Sequence, residues 1–83
     1  MDSIIKYMTS NFENLNGSTI DLKIIQKINK LNRSDRAALR YKLFERATFQ
    51  EETKNGEQIV KWLQNCFQII DKYSFRFNNV FFS

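Results

Sequence analysis

The hydrophobic residues of the chain recur every three or four positions, which is the period of an α-helix. The first segment places its apolar side chains at Ile4, Met8, Phe12 and Leu15. Asp2 has the side chain of a good N-cap, and Asn16-Gly17 suits a helix C-terminus because glycine adopts the left-handed conformation easily. This pattern predicts a first helix over residues 3–15.

Two more helices are predicted in the middle of the chain. The second covers residues 20–31, with Ser18 or Thr19 as its N-cap and a buried stripe of Ile20, Ile24, Ile28 and Leu31. The third covers residues 35–47, with Ser34 as its N-cap. Its apolar positions form two stripes, which are Leu39, Leu43 and Ala47, and Ala37, Tyr41 and Phe44. We therefore expect the third helix to touch two neighbours.

The fourth predicted helix has the strongest pattern. It follows the turn signal Asn55-Gly56 and runs over residues 56–73, with Asn55 as a capping residue. One apolar stripe comprises Val60, Leu63, Phe67 and Ile70, and the adjacent one comprises Ile59, Trp62, Cys66 and Ile69. Polar residues occupy the opposite side. These features indicate an amphipathic helix that packs along its whole length, with Leu63 in the core.

Residues 74–83 are dense in aromatic side chains. Phe75, Phe77, Phe81 and Phe82 lie here, and the spacing of the first two also fits a strand. We expect the helix to end near Tyr73 and the aromatic tail to follow it. Two interpretations stay open, because the tail can fold back onto the helices or can form an interface with a partner or a second copy.

The composition agrees with helices throughout. The chain has 83 residues, no proline and two glycines, whereas a β-sandwich or barrel needs many Gly and Pro turns. Hydrophobic residues make up 42% of the chain, which is enough for a folded core. The sequence therefore predicts one domain over residues 1–83, an all-α bundle of about four helices with an aromatic C-terminal segment.

The absence of certain residue types excludes several chemistries. There is no histidine and only one cysteine, so the chain cannot build a Cys/His zinc site, an internal disulfide or a His-assisted nucleophile. We expect a protein that is not an enzyme, with no catalytic residues, no cofactor and no metal. Cys66 lies on an apolar stripe and is expected to be a buried small hydrophobe.

The first fifteen residues do not have the pattern of an export signal or of a membrane span. Asp2 stands where a signal peptide carries positive charge, and Lys6 and Asn11 interrupt the apolar residues. We therefore expect a cytoplasmic protein.

Positive charge is concentrated in the second and third predicted helices. Residues 21–46 contain eight basic and three acidic side chains, whereas the whole chain has a net charge of +4. The candidate basic face consists of Lys23, Lys27, Lys30, Arg33, Arg36 and Arg40. Three interpretations remain, namely a solvated face, a contact with an acidic protein, and a contact with phosphate groups.

The same two helices have the length and spacing of a helix-turn-helix. In that arrangement Ser34, Arg36 and Arg40 would enter a DNA groove. The glycine that is common in such turns is missing from residues 32–34. Nucleic acid is therefore the second choice of partner.

We expect a small interaction protein that binds, and thereby inhibits or redirects, another protein, or that self-associates. The alternative is a nucleic-acid-binding regulator that uses the second and third helices. The frequent use of Asn, Ile, Lys and Phe is typical of an AT-rich genome and favours a phage or mobile-element accessory protein.

Overall fold

The computed structural model describes residues 2–16, 20–50 and 55–82, with side chains for all of these except residue 50 and residues 75–82. These ranges contain four helices and no strand, which confirms the predicted all-α bundle. The helices are α1 (Asp2–Ser10), α2 (Leu22–Asn29), α3 (Arg33–Gln50) and α4 (Gly56–Phe82).

The longest helix, α4, organises the core. It packs mainly against α2 and α3, while α1 lies against α2 and α3. α4 supplies five buried hydrophobic side chains, Ile59, Trp62, Cys66, Ile69 and Ile70, and the buried Ser74. The other helices add Ile4, Ile5, Met8, Ile24, Ile28, Leu39, Leu43 and Ala47, and the segment after α1 adds Leu15.

The first helix is shorter than predicted. α1 ends at Ser10, because the Asn11 side chain donates to the Tyr7 carbonyl at 2.7 Å and the chain then continues in turns. Leu15 is nevertheless buried, and the Asn65 side chain of α4 donates to its carbonyl at 2.6 Å. The hydrophobic period thus identified a buried residue correctly but placed it in a helix wrongly.

The N-caps of α2 and α3 also differ from the prediction. Asp21 caps α2 by accepting a hydrogen bond from the Lys23 amide at 2.8 Å, so this helix begins at Leu22 rather than at residue 20. Asn32, and not Ser34, caps α3 by accepting from the Asp35 amide at 2.7 Å. α3 therefore begins two residues early, and it continues to Gln50 instead of residue 47.

The predicted end of the fourth helix near Tyr73 is wrong, because the backbone of α4 is helical to Phe82. Asn55 caps its start by accepting from the Glu57 amide at 2.8 Å, as predicted. After Gly56 the sequence contains neither glycine nor proline to stop the helix. Each further residue of an established helix also adds a hydrogen bond at little cost. Residues 74–82 are therefore part of α4.

The structure distinguishes between the paired stripes of α3 and α4. On α4 the stripe through Ile59, Trp62 and Cys66 is buried, whereas Val60 is 55% exposed and Leu63 is half-buried. On α3 only the stripe through Leu39 is buried. The expectation that α3 touches two neighbours is confirmed, because it contacts α1 and α4. Its second apolar stripe is not needed for these contacts, since Tyr41 and Phe44 are exposed.

Candidate functional site

The three lysines of the predicted basic face belong to α2 and its C-cap. Lys23, Lys27 and Lys30 are all exposed. The Lys27 ammonium donates to the Ser3 hydroxyl of α1 at 2.7 Å. This side of α2 is therefore turned towards α1, and one of its three cations is already engaged within the chain.

The three arginines belong to α3, and two of them are bonded within the chain. The Arg36 guanidinium donates to the Leu31 carbonyl at 3.0 Å, and Arg40 forms an ion pair with Asp71 of α4. Arg33 is exposed and makes no such contact with the described residues. Arg36 therefore bonds the connection that precedes α3, Arg40 joins α3 to α4, and Arg33 makes no such contact with the described residues.

The six cations do not form one continuous face. Lys27 is directed to α1, whereas Arg40 is directed to α4. Lys30 and Arg33 are close along the chain because only residues 30–32 separate α2 from α3. A helix-turn-helix that reads DNA with Arg36 and Arg40 would first have to break both of their contacts. Their role in binding a partner stays a prediction.

The aromatic tail cannot be placed as a surface. The side chains of Phe75, Phe77, Phe81 and Phe82 lie outside the described part of the structure, although their backbone is helical. The two interpretations, a tail that covers the core and a tail that binds a partner, therefore stay predictions.

The structure places a different aromatic surface on α3. We define the outer stripe as Ala37, Tyr41, Phe44 and Thr48, which are spaced four, three and four residues apart. Tyr41 is 66% exposed and Phe44 is 58% exposed, and the other two residues are also exposed. Residues at this spacing share one side of a helix. α3 therefore presents a two-ring apolar surface to solvent.

The inner side of α3 explains why this surface is not part of the core. Leu39, Leu43 and Ala47 are buried there, and they lie against α1 and α4. The sequence gives both stripes the same helical period, so periodicity alone cannot identify which one is buried. The charged residues of α3 identify the buried stripe only weakly. Arg36 and Arg40 lie on one flank of that stripe, and Lys42 and Arg46 lie on the other flank.

An exposed ion pair joins Arg40 of α3 to Asp71 of α4 and shows which parts of the two helices lie side by side. The two helices run antiparallel. Only residues 51–55 connect them, and Arg40, well before the end of α3, pairs with Asp71, well after the start of α4. One turn from the ion pair towards that connection lie Phe44 on α3 and the half-buried Phe67 on α4. The outer stripe is therefore bordered on the α4 side by a charged pair.

Trp62 and Cys66 are structural residues. The Trp62 indole is 1% exposed and donates to the Met8 carbonyl at 2.9 Å. Cys66 is fully buried, as predicted, and burial raises the pKa of its thiol from 9.0 to about 12. Because the thiolate is the nucleophile, the folded protein keeps Cys66 in its unreactive form near neutral pH.

The described residues include neither a membrane-spanning helix nor a metal-binding cluster. None of their helices combines the length and the apolar character that crossing a bilayer requires. No three acidic or cysteine side chains of the described ranges converge on a point that could hold a metal ion. The chain matches no protein-family model, and no curated protein or solved structure shows significant similarity to it.

Proposed function

We propose that this chain is a small non-enzymatic helical protein that binds another protein through the outer stripe of α3. One observation carries the proposal, namely the exposure of Tyr41 and Phe44 on the same side of one helix. Single exposed apolar residues such as Leu22 and Val60 are ordinary on protein surfaces. Two rings in consecutive turns, with Ala37 and Thr48 on either side, are the arrangement that a partner helix or sheet can cover.

The physical advantage of covering this stripe is the removal of aromatic surface from water. Burying a phenylalanine is worth roughly 1.5 to 3 kcal/mol. The centres of protein interfaces are enriched in Tyr and Phe, and the Tyr41 hydroxyl can keep a hydrogen bond at the edge of such a contact. The stripe thus supplies the anchor type that dominates binding energies.

Charge favours a different protein over a second copy. The chain has a net charge of +4, and the exposed Arg33 lies along one border of the outer stripe. Two copies that met through this surface would bring like charges together, whereas an acidic partner would be attracted. We therefore propose a partner with an apolar patch and acidic surroundings, which this protein inhibits or redirects in the cytoplasm, in keeping with a phage or mobile-element accessory protein.

The nucleic-acid alternative has weaker support. It relies on Arg36 and Arg40, which are bonded to Leu31 and Asp71 within the chain.

The experiment is affinity capture from the source cell with the wild-type chain and two variants. Tyr41→Ser with Phe44→Ser removes the outer stripe, and Leu22→Ser with Val60→Ser removes two exposed apolar residues elsewhere. We expect the wild type and the second variant to retain the same protein and the first variant to lose it. Light scattering of each pure protein tests self-association. Equal capture by all three chains, or a dimer that the stripe variant abolishes, would contradict the proposal.

A further inference from the structure

A second surface lies between α1 and α3, where the chain forms an open groove. α1 contributes Asp2, Ile5, Lys6, Thr9 and Ser10, and α3 contributes Lys42, Glu45, Arg46 and Phe49. None of these residues belongs to the outer stripe or to the predicted basic face. The groove exists because α1 and α3 contact each other less than the other neighbouring helices do.

The described residues do not neutralise the cations of this groove. Lys6, Lys42 and Arg46 are exposed, and none of them forms an ion pair or a hydrogen bond with a described residue. Two carboxylates, those of Asp2 and Glu45, line the same groove, and neither forms an ion pair with a residue that the structure describes. The three cations are therefore available to an anionic ligand, while the two carboxylates restrict where its charges can lie.

The groove also has an apolar part. Ile5 is buried between the two helices, and Phe49 is 76% exposed at the groove. A ligand that only carried charge would leave the Phe49 ring in water. An apolar side chain placed against Phe49 would bury it, so the groove fits a ligand with both features.

We propose that the α1–α3 groove binds an acidic polypeptide segment, with an apolar side chain against Phe49 and carboxylates against Lys6, Lys42 and Arg46. The segment belongs to a protein partner, because a nucleic-acid backbone carries one negative charge per nucleotide and would be repelled by Asp2 and Glu45. A polypeptide can space its carboxylates to avoid them. This inference is independent of the outer stripe, because the two surfaces share no residue.

The test measures fluorescence anisotropy with three labelled probes. The first is a helical peptide with leucine at every third and fourth position, one glutamate in each turn and alanine elsewhere. The second has glutamine in place of glutamate, and the third is oligothymidylate. We expect the glutamate peptide to bind at least about tenfold more tightly than the glutamine peptide, which corresponds to about 1.4 kcal/mol. Failure of the wild type to bind the glutamate peptide, or tighter binding of oligothymidylate, would overturn the proposal.

A matched pair of charge reversals locates the site. Lys6→Glu, Lys42→Glu and Arg46→Glu change the groove, whereas Lys23→Glu, Lys30→Glu and Arg33→Glu change the net charge equally on α2 and the start of α3. We expect only the groove variant to lose binding, by about tenfold or more. An equal loss in both variants would mean non-specific attraction and would overturn the proposal.

Two additional variants keep the result interpretable. If the groove reversal does not fold by circular dichroism, replacement of the same three residues by glutamine removes the charge without reversing it, and the same loss is expected. Phe49→Ala is expected to weaken binding of the glutamate peptide, and unchanged binding would contradict the apolar contact. Tyr41→Ser with Phe44→Ser should leave peptide binding intact, which separates this proposal from the proposed function.

Discussion

Trp62 and Asn65 of α4 connect this helix to the segment that follows α1. The Trp62 indole donates to the Met8 carbonyl, and its ring lies 5.3 Å from the Phe12 ring, centre to centre. Asn65 bonds the Leu15 carbonyl. The Asn65 bond and the Phe12–Trp62 ring contact thus hold residues 11–16 on the bundle without a helix, while the Trp62 bond reaches Met8 of α1. The sequence predicted the burial of Leu15 but not this role of Asn65, because an Asn on a polar helix side gives no signal of its distant partner.

Cys66 gives a prediction at the same scale. Burial raises the pKa of its thiol from 9.0 to about 12, so between these values the unfolded chain loses the thiol proton while the folded chain keeps it. The free energy of unfolding should therefore fall as the pH rises through this window, because the unfolded state binds fewer protons. Urea unfolding of the wild type and of Cys66→Ala at several alkaline pH values measures this. The free energy of unfolding should fall less with rising pH in the variant than in the wild type. The same pH dependence in both proteins would contradict the raised pKa of Cys66.

Helix periodicity predicted the number and type of the elements but neither their ends nor the choice between stripes. The ends depend on single capping bonds, such as that from the Asp35 amide to Asn32, and Ser34 is an equally good cap by residue type. The choice between stripes depends on where the neighbouring helices lie. Val60 and Tyr41 both have the period of core residues and are exposed.

α4 provides the corresponding prediction for an element. Ile70 is fully buried and Val60 is 55% exposed, although the sequence places both on one apolar stripe. Ile70→Ala should lower the free energy of unfolding by about 2 to 5 kcal/mol through the cavity it leaves. Val60→Ala should change it by less than about 0.5 kcal/mol. Chemical denaturation followed by circular dichroism measures both, and equal losses would mean that the two residues share one environment.

At the scale of the whole molecule, the residues that pack the core differ from those that we propose for recognition. Arg36 and Arg40 bond within the chain, whereas Tyr41 and Phe44 do not contribute to the core. The six cations were predicted as a binding face because the concentration of positive charge is evident from the sequence. The sequence did not identify the outer stripe as an exposed surface. A stripe that packs within the chain and a stripe that binds a partner have the same helical period.

The proposed function requires that the outer stripe contacts a partner protein directly. Site-specific photo-crosslinking in the source cell tests it, with p-benzoylphenylalanine introduced in place of Phe44 and, as a control, in place of the exposed Gln68 of α4. We predict one crosslinked protein at position 44, no crosslink at position 68, and loss of the first when Tyr41→Ser is added. No crosslink at position 44, or the same product from both positions, would contradict direct contact between the outer stripe and a partner protein.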